Sequence, residues 1–139
     1  MFMKKNHIGL LIVMGFSIVI WLCLKDDSVD QVFAPPTEVD FTKTEVDMGN
    51  IQKGKIKEVC FQLKNTGNFP LLIRYVETSC SCINSKWTNH PVMPGKFSEI
   101  KISYEAKNIG RFFKTITVFC NTNTGFVELR IKGSVKTLR

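Results

Sequence analysis

Histidine is almost absent from this 139-residue chain, which has only His7 and His90. A cysteine or serine nucleophile needs a base and an orienting group beside it. With His7 in the N-terminal tail, His90 is the sole candidate base. Paired carboxylates placed for acid–base work and glycine loops that cradle phosphate are also missing. No internal repeat occurs, no low-complexity tract lies outside one apolar run, and no segment has a convincing helical period. The net charge of +7 is not gathered into any block: Glu128, Arg130 and Lys132 alternate with apolar residues. That spacing describes a solvated strand face, and no nucleic-acid motif accompanies it. The functional alternative is long-range attraction to anionic headgroups or cell-wall polymers. These absences point away from an enzyme, a nucleic-acid partner and a small-molecule substrate, and nothing calls for a cofactor.

What is present begins at the N-terminus. Lys4 and Lys5 precede an unbroken apolar run from Ile8 to Leu24, and Lys25, Asp26 and Asp27 follow. About 17 residues make roughly 25 Å of helix, at the short end for a hydrocarbon core of about 30 Å. The run is longer than the usual apolar region of a signal peptide. Trp21 suits a membrane interface, and lysines ahead of the run keep that end inside and export the remainder. Trp21-Leu22-Cys23-Leu24 offers no small residue for cleavage, so the run reads as an uncleaved anchor. The alternative is a lipoprotein acylated at Cys23, although Ile20-Trp21-Leu22 is a poor lipobox. The expected location is the bacterial inner membrane, single-pass, with the C-terminal domain in the periplasm. Residues 1–27 form the anchor and 28–37, with Pro35-Pro36, a short stiff spacer. Residues 38–139 can bury one modest core.

Beyond the spacer, period-two alternation dominates. Val59, Phe61 and Leu63 alternate with Cys60, Gln62 and Lys64; Ile100, Ile102 and Tyr104 do so with Glu99, Lys101 and Ser103. Ile116, Val118 and Cys120 share one face of a further strand, and Val127, Leu129 and Ile131 one face of the last. Leu71 to Val76 is apolar on both sides apart from Arg74, as in a central strand, and Val39 to Phe41 begins an edge strand. Gly49-Asn50, Asn65 to Asn68, Pro94-Gly95, Asn108 to Gly110 and Asn121 to Gly125 supply turn chemistry. The expected fold is all-β: an immunoglobulin-like antiparallel β-sandwich of about seven strands, preceded by one N-terminal membrane helix.

The order of motifs adds to this. Asp47-Met48-Gly49-Asn50-Ile51 and Gly54 lead to Phe61 through Asn68, then Pro70-Leu71-Leu72-Ile73, Ser79-Cys80-Ser81-Cys82, Pro91, Pro94-Gly95, Gly110, Asn121 and a terminal Gly133. This order, from about Phe41 to Val135, resembles the bacterial domain-of-unknown-function family 1573. Members of that family resemble the Hydin-like and major-sperm-protein-like branch of immunoglobulin-type sandwiches. The resemblance implies an exported, often membrane-tethered β-sandwich and no known activity. The family motif has Gly between the cysteines and Thr after them, where this chain has Ser81 and Ile83. Serine tolerates positive φ less well than glycine.

Cys80 and Cys82 are the residues best placed for chemistry. In an extended strand residues two apart are about 6.6 Å apart, whereas a disulfide wants Cβ atoms about 3.8 Å apart, so a bond between them requires a bend at Ser81. Paired thiolates also suit copper or zinc, with His90 and Met93 as further ligands, although no established ligand spacing is matched. A cysteine nucleophile and simple packing at a strand end are the other readings. Alternation turns Cys120 inward and Cys60 outward, against a bond across the sheets. Trp87, in the long stretch from Cys80 to Gly95, is a partner-contact candidate if exposed and a lid on the core if not. The expected function is a non-enzymatic interaction module that binds an unknown envelope protein. The alternative is a thiol-redox or copper/zinc protein using Cys80 and Cys82.

Overall fold

The computed structural model describes residues 34–137. The expected membrane helix, Cys23 and most of the spacer lie outside the described residues. Eight strands follow in order: β1 (Val39–Phe41), β2 (Glu45–Gln52), β3 (Ile56–Asn65), β4 (Ile73–Thr78), β5 (Ile83–Lys86), β6 (Phe97–Glu105), β7 (Gly110–Cys120) and β8 (Phe126–Lys136). They form two four-stranded sheets, ordered β1-β3-β6-β5 and β2-β8-β7-β4. No helix among the described residues is long and apolar enough to cross a membrane.

The alternating segments became the long strands because each has one apolar face to bury. Phe61 and Leu63 of β3 and Ile100, Ile102 and Tyr104 of β6 meet Ile116 and Val118 of β7 and Leu129, Ile131 and Val135 of β8 in one core. Burying each such side chain stabilises the fold by about 1.5–3 kcal/mol. On the outer face of the second sheet, Tyr75, Phe119 and Phe126 form an aromatic row across β4, β7 and β8.

Several expectations are corrected. The sandwich is mixed rather than wholly antiparallel, because β2 runs parallel to β8. Gly49-Asn50 is not a turn between strands; it is an irregularity inside β2, where the register shifts between Asp47 and Asn50. Gly49 takes a φ of 65°, and Asp47 Oδ1 accepts its N–H at 2.7 Å. Leu71 to Val76 is not a central strand: Leu71 forms an isolated bridge with Val92, and β4 begins at Ile73 on the edge of its sheet. Its two apolar sides reflect one residue set facing the core and a flanking bridge, not sheets on both sides. The Cys80 to Gly95 stretch also contains a strand, β5.

Two buried asparagines lock one end of the sandwich. Asn65 Nδ2 donates to the carbonyls of Phe69 at 2.7 Å and Val92 at 2.8 Å. Its Oδ1 accepts from Thr37 Oγ1 and the Gly67 N–H, each at 3.1 Å. Asn121 Oδ1 accepts the Leu72 N–H at 2.7 Å, and its Nδ2 donates to the carbonyls of Pro35 at 2.9 Å and Pro70 at 3.0 Å. Buried amides persist only when satisfied in this way. Pro35 to Thr37, expected as spacer, is therefore part of the sandwich, with Thr37 bridged to Thr122. Gly67 is required here, since a Cβ would run into Thr37. At the other end of β8, a Cβ on Gly133 would meet the Gly49 carbonyl and the Phe112 ring, each at 2.7 Å.

Candidate functional site at the disulfide end of the sandwich

Cys80 and Cys82 are joined in a disulfide. They occupy the corner where the chain leaves β4, at the edge of one sheet, and enters β5, at the edge of the other. The corner is tied on both sides. Ser79 exchanges hydrogen bonds with Thr115 of β7, its N–H donating at 3.1 Å and its Oγ accepting at 3.3 Å. The Cys82 carbonyl accepts the Glu105 N–H of β6 at 2.9 Å. Between these ties the Ile83 N–H donates to the Cys80 carbonyl at 3.2 Å, closing a turn over Ser81 and Cys82. The turn brings the two Cα atoms to 5.2 Å, shorter than an extended strand allows. No non-glycine residue described here has a positive φ, so Ser81 makes the bend without needing glycine's freedom.

The disulfide adds little as a staple. A cross-link limits the unfolded chain in proportion to the logarithm of the loop it closes, and a loop of three residues yields about 1.6 kcal/mol, against about 4.7 for one of 100 residues. Ser79, Cys80 and Cys82 are also held by the backbone ladder already described.

Beside the disulfide is a cleft of about 440 Å³, lined by Cys80, Ser81, Cys82, Tyr104, Glu105, Lys107, Asn108, Ile109 and Arg111 to Lys114. Its floor is aromatic: Tyr104 and Phe112 stack with ring centres 4.2 Å apart. Burial pushes the Tyr104 hydroxyl above its ordinary value. Its rim carries Ile109 and Phe113, 59% and 58% exposed. Three cations, Lys107, Arg111 and Lys114, line it against one anion, Glu105, which pairs with Lys107 at 3.0 Å. Ile109 and Phe113 come from the turn and the first residues of β7, where alternation turns 111 and 113 to the outer face and 112 inward.

The other candidates separate from this cleft. His90 is exposed, beside Val92 and the Asn65 hub. The length of β5 carries the chain there from the disulfide corner, because Ile83 pairs with Tyr104 and Lys86 with Lys101. His90 and the cysteine pair are thus not brought together, and Met93 sits with His90. Among the described residues no three His, Cys, Asp or Glu side chains cluster as metal ligands. Trp87 packs against the core, half-buried, and its indole Nε1 is buried without a hydrogen-bond partner. It covers the core rather than standing free as a contact residue. Cys60 is exposed and Cys120 buried, and neither is bonded. Burial pushes the Cys120 thiol upward, partly offset by Thr122. The sequence reading missed Ile109, Phe113 and Arg111. An apolar residue inside an Asn-Ile-Gly turn was their only signal.

Two layers of β-strands closing on one core define an immunoglobulin-like β-sandwich, and solved structures agree. A protein of unknown function from Porphyromonas gingivalis W83 matches with a TM-score of 0.64 at 19% identity, over 73% of this chain and 48% of that one. This chain therefore spans about half the length of that protein. The seventh PapD-like domain of human CEP192 matches with a TM-score of 0.64 at 11% identity, over 76% of this chain and 89% of that one. The secreted serine protease VesC from Vibrio cholerae matches with a TM-score of 0.55 at 13% identity, over 82% of this chain and 26% of that one. At these identities the likeness is one of fold. No curated protein matches the chain. The family model described as protein of unknown function (DUF1573) matches residues 39–135, and the chain belongs to that family.

Proposed function

We propose that the protein is a non-enzymatic interaction module of the bacterial envelope, tethered to the inner membrane through the apolar run from Ile8 to Leu24 and exposing its sandwich to the periplasm. Its contact site is the cleft at the disulfide end, and its partner presents an extended segment that is both acidic and apolar. One observation carries the reading: two exposed apolar side chains, Ile109 and Phe113, line a cleft whose charged lining is three cations to one anion. Apolar anchors supply affinity, and complementary charge supplies encounter rate and selectivity. The chain enters the sandwich through Pro35 and Thr37, at the Asn65–Asn121 end, so entry point and cleft lie at opposite ends of the domain.

Losing the Phe113 contact and adding a like charge to the partner's is worth about 1.5–3 kcal/mol, a factor of roughly ten to a hundred in affinity. Chemical crosslinking of the full chain in intact cells tests this. Phe113→Glu is expected to abolish the adduct of the wild-type chain at equal protein abundance; an unchanged adduct refutes the cleft as the contact site.

A further inference from the structure

The cleft has one reactive group in its wall. Every other function assigned to it, docking an apolar anchor and attracting an acidic segment, is performed without the disulfide. The corner that carries it is held by backbone hydrogen bonds from Ser79 and Cys82 to β7 and β6, and the three-residue ring restrains the unfolded chain far less than a long-range cross-link would. Both cysteines are half-buried rather than enclosed, and Cys80, Ser81 and Cys82 all line the cleft.

We propose that Cys80–Cys82 is an exchangeable disulfide that accepts two electrons from a dithiol on the protein segment bound in the cleft. The proposal rests on the cleft being the contact site. The chemistry is thiol–disulfide exchange. A thiolate of the partner attacks one Sγ of the pair, the Cys80–Cys82 bond breaks, and a mixed disulfide forms while the other sulfur leaves as a thiolate and takes up a proton. The partner's second thiol, as thiolate, then attacks the mixed disulfide. The partner ends as a disulfide, oxidised by two electrons, and Cys80 and Cys82 end as two thiols.

The surroundings favour both halves of this exchange. Attack and departure each involve a sulfur anion, and cations near a thiol stabilise its thiolate. Lys107, Arg111 and Lys114 line the same cleft, with Glu105 already engaged by Lys107. A lower thiolate energy in the leaving sulfur speeds its departure. No base is needed in the site, which accords with His90 lying at the far end. The remaining described cysteines do not compete from within the cleft: Cys60 is exposed on the outer face of β3, and Cys120 is buried in the core.

The test uses the full chain in detergent micelles, with Cys60→Ser to silence the exposed thiol. The protein is incubated with reduced glutathione, free thiols are alkylated, and Cys80 and Cys82 are read by peptide mapping. Glutathione is expected to open the pair, and Arg111→Gln with Lys114→Gln to slow the opening several-fold at low salt but not at high salt. A pair that stays closed in glutathione and opens only with a strong small dithiol overturns the proposal, as does an opening rate indifferent to the cations. The two readings are read apart: opening by glutathione is measured on the purified chain with no partner present, and partner capture by crosslinking in intact cells with Cys80→Ala and Cys82→Ala, which removes the disulfide and keeps Ile109, Phe113 and the cations. Exchange can then fail with docking standing, and docking can fail with the pair still reducible.

Discussion

Replacing both cysteines, Cys80→Ala with Cys82→Ala, separates a disulfide kept for stability from one kept for reactivity. The ring closes three residues, and its removal costs about 1.6 kcal/mol of unfolded-state restraint. Both cysteines are partly buried and packed against the core, and truncating them adds roughly 0.5–1 kcal/mol of lost burial. The backbone ties from Ser79 to Thr115 and from Cys82 to Glu105 do not depend on the side chains. The expected loss is therefore about 2–2.5 kcal/mol, or a fall in Tm of roughly 10–20 °C for a domain of this size. Equilibrium urea unfolding measures it directly, with an unchanged slope showing that the variant buries the same surface. A loss above about 4 kcal/mol, or a variant that does not fold, would mean that the corner depends on the bond, and the case for an exchangeable disulfide would collapse.

The asparagine hub and the buried thiol give further predictions. Asn65→Ala leaves the Phe69 carbonyl and the Thr37 hydroxyl without their partners, while the Val92 carbonyl keeps the Leu71 N–H and the Gly67 N–H keeps the Glu38 carbonyl. Two orphaned groups cost about 2–4 kcal/mol, read as a shift in urea midpoint. Asn65→Asp is expected to be no milder, because it sets an oxygen against two carbonyls; a near-neutral result for either variant contradicts the assignment of the hub. Burial raises the proton affinity of Cys120 and of Tyr104 in the folded state above that in the unfolded chain. Their stabilisation is therefore complete below the ordinary thiol and phenol values and declines as pH rises through them, from about pH 8 upward. Urea midpoints are expected to fall across that window, and Cys120→Ala to flatten the first part of the fall. A profile that rises there instead would contradict the burial of both groups.

Much of the fold was legible because period-two alternation leaves little choice about which face is buried. Phe61 and Leu63, Ile100 and Ile102, Ile116 and Val118, and Leu129 and Ile131 were assigned inward from spacing alone and lie in the core. What alternation does not encode is which strand edge meets which. The parallel pairing of β2 with β8 is long-range, and Gly49-Asn50 imitates a turn because its glycine does take positive φ, inside a strand. β5 was missed because Ile83-Asn84-Ser85-Lys86 is four residues long with one apolar face residue. Asn65 and Asn121 were read as turn residues, which they are locally. Their role as buried clamps depends on carbonyls up to 86 residues away in sequence, as for Asn121 and Pro35.

The candidate site was legible in one half only. Cys80-Ser81-Cys82 stood out by spacing, and the bend that a bond between them requires is present at Ser81. The cleft beside it is built from the β6–β7 turn, which carries no motif, so Ile109, Arg111 and Phe113 could be found only once the two sheets were placed. His90 was linked to the cysteines by closeness in sequence, and the run of β5 along β6 carries it to the other end.

The central claim, that contact occurs at the disulfide end, is tested most directly by placing a photo-crosslinking side chain at single positions of the full chain in living cells. Phe113 is compared with Phe97, which is 71% exposed at the other end of the sandwich, and with Tyr75 on the aromatic row. The account predicts a discrete adduct from Phe113, lost when Lys107, Arg111 and Lys114 are neutralised together, and none from Phe97 or Tyr75. Equal adducts from all three positions, or an adduct from Phe97 or Tyr75 alone, would contradict it.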